Sequence, residues 1–320
     1  MTLFEQLKNF PKVDMHINLT SSISTDLAFD LTDEENMVEV LDQMREKNVL
    51  EYENALKIPI KILKNSKNLV LSINNLIDKL KKNNVIYGEL FFDLPLYNDY
   101  INEEKCLNVI IDEIKKENYP LQVVLVISSE RERSANLKTL ELFEKYYGKG
   151  VNSIYFQKSK MANMSDYMYI FDRLIKNNYP FIVNHNSKIT NQDYEIYRHA
   201  KRIIYSLSNC DEELIKECRE KNIMLEFSIT RLKESNLIEL ANWFIFDLIK
   251  ENYLLTITSC DMTTLNTDVL NEWCLLFNNY SLNLHDMAKV MNNCLNHLDL
   301  NPDEKQKLID DFMEQVNTVL

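Results

Sequence analysis

Two of the five histidines in this chain stand at the ends of strand-like runs, each leading into polar residues. The first is in residues 12–18 (KVDMHIN), where His16 and Asn18, two apart, project from one face of an extended segment. The second, His185, ends residues 181–185 (FIVNH) and is followed by Asn186, Ser187 and Lys188. Glu89 lies inside residues 85–92 (VIYGELFF), Tyr205 near the end of 202–206 (RIIYS), and residues 254–259 (LLTITS) run into Cys260 and Asp261. Imidazole, thiolate and carboxylate ligate zinc and carry protons near neutral pH. This set can therefore do metal-assisted or acid–base chemistry if a fold gathers it.

The elements that must do the gathering are eight short apolar or β-branched runs. To the five above are added 121–127 (LQVVLVI), 151–156 (VNSIYF) and 223–227 (IMLEF). Helix-like segments separate most of them. Thr32, with Glu35 three residues on, reads as a capping box opening a helix to about Lys47. Residues 65–82 place Leu69, Ile73, Leu76, Ile77 and Leu80 on one helical face, and 134–147, 211–221 and 235–250 repeat the pattern. Three more stretches, near 265–280, 284–298 and 302–318, follow the last strand.

Strands alternating with helices predict an α/β fold of the (β/α)8 TIM-barrel type, one domain over 1–320; the long gap between the first two strands implies extra helices over one end. The alternative is an open, doubly wound sheet. In a barrel, function sits at the C-terminal ends of the strands, which brings His16, Asn18, Glu89, His185, Tyr205, Cys260 and Asp261 to one mouth. Glu89 has a second reading, as a carboxylate paired with a neighbour, and so has Glu226. His199, His285 and His297 fall on helix-like stretches and read as surface or packing residues.

Composition removes several function classes. Forty-nine acidic against 36 basic side chains give a formal charge of −13, which disfavours nucleic acid and anionic membrane surfaces. No apolar run is long enough for a membrane span, and residues 1–10 lack a signal-peptide pattern. Six cysteines without a CxxC pair read as reduced thiols of a cytoplasmic protein. Only three glycines are present, so the glycine-rich phosphate loops of P-loop, kinase-type and dinucleotide-binding proteins are excluded.

The segments, in this order, resemble the adenosine/AMP deaminases of the amidohydrolase superfamily over nearly the whole chain. Pro11 to Leu19 (PKVDMHINL) is similar to that family's PKxELHxHL opening, and Tyr87-Gly88-Glu89 to its YxE. Pro180 to Lys188 occupies the place of HAGE, Lys201 to Ser206 that of RIGHG, Ile223 to Ser228 with Ser235-Asn236 that of LExCPxSN, and Thr258 to Met262 that of NTDDP. The resemblance implies a metallo-dependent hydrolase barrel with one zinc on two histidines of the first strand, one of the fifth and an aspartate of the eighth. Here those positions hold His16, Asn18, His185 and, in the simplest register, Cys260; a one-residue slip would make Asp261 the ligand and Cys260 packing. The family's proton-handling glutamate is Lys188, its strand-six histidine is Tyr205, its second aspartate persists as Asp261, and the arginine after YxE is Phe91. The small residues of its HLDG are Thr20 and Ser21.

Deamination needs a metal-activated water and a carboxyl that protonates the ring. Lysine cannot copy that carboxyl. Each lost acid or base lowers the rate by roughly 10²–10⁴-fold, so losing two reduces deamination to background. His16, His185 and Cys260 still make a nitrogen and sulfur set acceptable to zinc, with Asn18 as a weak oxygen ligand; the alternative is hydrogen-bonded mouth residues with Cys260 as a small buried hydrophobe. Three readings follow. One is a catalytically degenerate deaminase-like protein holding a purine-like small molecule or a partner. Another is an active metal-dependent hydrolase of a purine nucleoside or related amidine, with a His16/His185/Cys260 metal and Asp261 as base. The third is a non-catalytic interaction subunit using the outer helices.

Overall fold

The computed structural model describes residues 2–32, 35–45, 52–98, 100–187, 190–235, 238–239 and 243–320. Eight parallel strands pair in chain order: β1 (Lys12–Asn18), β2 (Val85–Phe92), β3 (Leu121–Ser128), β4 (Val151–Gln157), β5 (Phe181–His185), β6 (Arg202–Tyr205), β7 (Met224–Phe227) and β8 (Leu255–Ile257). Each agrees with an expected run to within a few residues at its ends. The first and last strands meet at a bridge between Ile17 and Cys260, where the Asn18 N–H donates to the Cys260 carbonyl and the Cys260 N–H to the His16 carbonyl, both at 2.8 Å. The sheet thus closes into the expected TIM barrel rather than remaining open.

The gap after β1 is filled by helices, ending in the long Ser66–Lys82 helix, whose buried side is the expected Leu69, Ile73, Leu76, Ile77 and Leu80 face. Where the helices begin follows local capping. Asn65, Asp211, Asn283 and Asn301 each accept a backbone N–H at a helix start. The helix expected from Thr32 differs. It runs over Met37–Met44 with Asn36 as its cap, because the Thr32 hydroxyl turns back to the Phe29 carbonyl and closes the preceding Thr25–Asp30 helix. Asp33, Glu34 and Lys47 lie outside the described residues. The helix expected over 235–250 is confined to Ile245–Lys250 among the described residues, and Asn236 lies outside them. No helix among the described residues is long and apolar enough to cross a membrane.

Returning from a helix to the next strand calls for a left-handed backbone residue, normally glycine. With three glycines available, the chain uses asparagine: Asn84, Asn118, Asn178, Asn222 and Asn252 have φ between 47° and 59° just before β2, β3, β5, β7 and β8. Asparagine tolerates this region better than other side chains. The turn into β4 takes Gly148 and Gly150 instead. Outside these turns, one non-glycine residue other than asparagine has positive φ among the described residues. It is Cys260, at 59°.

The main core lies between barrel and helices, while a second cluster of Phe91, Val124, Val126, Tyr155 and Ile182, strand residues alone, fills the barrel interior. Polar groups anchor the barrel's lower end. The Lys12 ammonium donates to the carbonyls of Leu7 (2.7 Å), Lys8 (3.0 Å) and Phe10 (2.5 Å), closing the C-terminus of the Leu3–Asn9 helix. The Asp14 carboxylate accepts from the Ser259 N–H and hydroxyl across the seam between β1 and β8.

Lys12→Met removes three donors from buried carbonyls and should lower unfolding free energy by about 2–4 kcal/mol in urea titrations. Burial pushes Asp14 up to about 7, against the opposing Ser259 donors. A carboxyl raised in the folded state keeps its proton between the unfolded value near 4 and about 7, so its stabilising contribution is complete at acid pH and is lost as pH rises through 7. Between pH 5 and 8 the wild-type protein should therefore lose stability relative to Asp14→Asn, read as a falling difference in denaturation midpoints.

Candidate active site

The site is built upward from a guanidinium at the start of β6. Arg202 is 2% exposed; its Nη2 donates to Glu89 Oε2 at 2.7 Å and to the Met15 carbonyl at 2.8 Å. Its Nε lies 2.9 Å from Glu226 Oε2, an ion pair by distance without the angle of a hydrogen bond. Glu89 also accepts from Asn152 Nδ2 at 2.8 Å and the Tyr87 hydroxyl at 3.2 Å. Glu89 is thus held inside the barrel by a neighbouring cation. Glu226 carries the connection toward the mouth: its Oε1 lies 2.5 Å from His16 Nδ1, which leaves Nε2 on the Cys260 side of the ring. The His16 ring stacks on Phe91, centroids 3.7 Å apart at 13°, with Tyr155 edge-on at 6.1 Å.

At the mouth, β8 delivers two side chains to different partners. Cys260 Sγ lies 3.8 Å from His16 Nε2. Asp261 turns away and is enclosed by donors: Asn18 Nδ2 at 2.9 Å, the Tyr52 hydroxyl at 3.1 Å, Cys260 Sγ at 3.1 Å, the Ser21 hydroxyl and Arg231 Nη2. A carboxylate offers about four lone-pair sites, so these five donors saturate it. Burial pushes the Asp261 carboxyl up, but the Arg231 guanidinium and the Ser21 and Cys260 donors outweigh it and hold it well below the usual carboxylate range. Burial, and then the Asp261 charge, push the Cys260 thiol well above its ordinary value.

His185, at the end of β5, sits with different company. It is fully buried, edge-on to Tyr205 (5.1 Å) and Tyr197 (6.2 Å), with neither ring nitrogen in a hydrogen bond; Nε2 is 3.5 Å from Asp211 Oδ2. Burial lowers its imidazole to about 4, against the pull of Asp211. The Tyr205 hydroxyl donates to the Asn209 carbonyl and accepts from the Asp211 N–H, both at 2.7 Å, so it fastens its own loop. Lys188 lies outside the described residues.

The structure thus brings His16, Asn18, Cys260 and Asp261 together, and places Glu89 beneath them and His185 with Tyr205 beside Asp211. These donors do not fit a zinc ion as arranged. Asn18 gives its amide hydrogen to Asp261, and the Asp261 carboxylate is already satisfied. Among the described residues no three His, Cys, Asp or Glu side chains are grouped to hold a metal. Arg231 and Tyr52 had no counterpart in the sequence reading. Arg231 comes from the short helix after β7 and Tyr52 from the excursion after β1, and no spacing rule links either to Asp261.

Replacing Arg202 by Met strands two buried carboxylates, and the loss should be about 3–5 kcal/mol in unfolding free energy, far above that of an exposed arginine. Chemical denaturation of the two kinds of variant measures the difference.

No family model matches the chain. Sequence relatives include the adenosine deaminase of Clostridium kluyveri, 21% identical over 357 residues and spanning 100% of this chain and 98% of that one. The adenosine deaminase of Clostridium botulinum (strain Kyoto / Type A2) is 25% identical over 333 residues, covering 94% and 96%. Among solved structures, Arabidopsis ADAL complexed with IMP superposes with a TM-score of 0.86 at 14% identity, over 99% of this chain and 100% of that one. Those relatives match it over nearly its whole length, the fold is that of the solved deaminase structures, and the strand ends carry the altered motifs: the chain is similar to the adenosine deaminases, as a divergent adenosine deaminase-like barrel.

Proposed function

We propose that this is a catalytically degenerate deaminase-like protein that keeps a barrel mouth for a purine-like small molecule and has given up zinc-dependent deamination. The observation that carries this reading is the saturation of Asp261 by five donors. A general base must have a lone pair for the substrate's proton and a pKa near working pH, and Asp261 meets neither condition. Tyr205, standing where the family has a histidine, spends its one proton on its own loop and has none left to donate to a water. The IMP bound to the Arabidopsis relative supports a purine-like ligand. Six free thiols among the described residues suit a reducing, cytoplasmic setting.

A second reading, an active hydrolase with a His16/His185/Cys260 metal, is favoured by one feature, the two unpartnered ring nitrogens of the buried His185. Elemental analysis and an absorbance assay on adenosine and AMP separate the two. The expected result is zinc well below one per chain and no turnover above background. About one zinc per chain, with turnover abolished by His16→Ala, overturns the first reading and establishes the second.

A further inference from the structure

Cys260 is conspicuous on two counts, and the histidine beside it is supported from below. Its backbone is left-handed, at φ 59°, a conformation otherwise given to asparagine and glycine among the described residues. For a residue with a Cβ that backbone is strained, and such strain clusters at functional sites. Its thiol lies 3.8 Å from His16 Nε2, the ring nitrogen that Glu226 does not engage. And the Glu226 carboxylate is itself fixed from below by Arg202. Nucleophile, base and base-orienting carboxylate in line is the general arrangement of covalent catalysis, and the thiol–imidazole distance is of the looser kind found before substrate binds.

We propose that Cys260, His16 and Glu226 form a metal-independent nucleophilic site for a small, uncharged electrophile with a carbonyl- or amidine-type carbon bearing an amine leaving group. Cys260 and His16 are its catalytic residues and Glu226 its positioning residue. As the sulfur–carbon bond forms, the thiol proton passes to His16 Nε2 and the π-electron pair of the C=O or C=N moves onto its heteroatom. Collapse of that centre breaks the carbon–nitrogen bond, and the departing amine takes the proton back from His16. The product is an S-acyl or S-imidoyl Cys260, which water cleaves with return of the proton to sulfur. At rest the thiol donates to Asp261 Oδ2. A thiol is a weak donor and Asp261 has four others, so little is lost when it turns to His16. The residue is buried, 8% exposed at the end of its strand, and burial with the Asp261 charge keeps the resting thiol protonated, so its proton leaves for His16 only as the sulfur–carbon bond forms. The inference goes beyond loss of the zinc chemistry and does not depend on it, since no metal takes part.

The other cysteines supply the controls, because Cys210 is exposed and Cys106, Cys218 and Cys294 are buried as Cys260 is but, among the described residues, pair with no histidine. The full-length protein is treated with iodoacetamide, with and without a chelator, and alkylation of each cysteine is timed by peptide mass mapping. In this probe reaction the sulfur–carbon bond forms, iodide leaves and His16 takes the proton. Cys260 should react at least as fast as Cys210, independently of the chelator, and at least about 10-fold more slowly in His16→Asn, with Cys210 unchanged. Glu226→Gln should slow Cys260 in the same way and Glu226→Asp should restore it, a rescue that a merely structural role would not give. Reaction slower than at Cys210 in the wild-type protein, which needs no variant to fold, overturns the proposal. So does a Cys260 rate indifferent to His16→Asn in a variant that still protects Cys106, Cys218 and Cys294.

Discussion

One buried guanidinium organises this barrel. Arg202 lies between the carboxylates of Glu89 and Glu226 and also donates to a β1 carbonyl, so a single side chain ties β6 to β1, β2 and β7. Its planar, permanently charged fork can serve several acceptors in fixed directions, which a lysine ammonium cannot copy. Glu226, once fixed, orients the His16 ring; His16 then presents Nε2 to the residue at which the sheet closes. Interior charge, mouth chemistry and barrel closure are successive links of one chain of contacts.

A hydrolytic metal site depends on ligands that the protein alone does not satisfy. The mouth of this barrel is built on the opposite plan. Asparagine, tyrosine, serine, arginine and cysteine all turn to one aspartate, and a phenylalanine lies flat on the histidine. Each substitution relative to the deaminase pattern taken alone looks like a loss. Together they make a closed set of hydrogen bonds, and buried polar groups that are fully paired rigidify the surface they form. His185 stands outside that set, edge-on to Tyr205 and beside Asp211.

The strands were legible because both faces of each are covered, so their residues read as apolar runs with little alternation. Helix starts were legible where an Asn or Asp could cap, as at Asn65 and Asp211, and illegible at Thr32, whose hydroxyl ends one helix instead of opening the next. The nearness of His16 to Cys260 follows from barrel geometry, since both stand at strand ends on either side of the closing seam. The saturation of Asp261 does not follow. It rests on Tyr52 and Arg231, which reach the mouth through tertiary folding of segments with no chemical signature of their own. The roles open to Glu89 and Glu226 were likewise undecidable in sequence, because the cation that pairs them comes from a third strand.

The asparagines in the helix-to-strand turns have an effect that no folded-state contact displays. A glycine at such a turn leaves the unfolded chain with the widest range of backbone states, all of which folding must abolish. An asparagine that accepts the left-handed conformation starts from a narrower range, and each such position lowers the entropy lost on folding by up to about 1 kcal/mol. Spread over five turns, this restriction acts on the disordered ensemble and offsets part of the cost of holding a Cβ in the left-handed region.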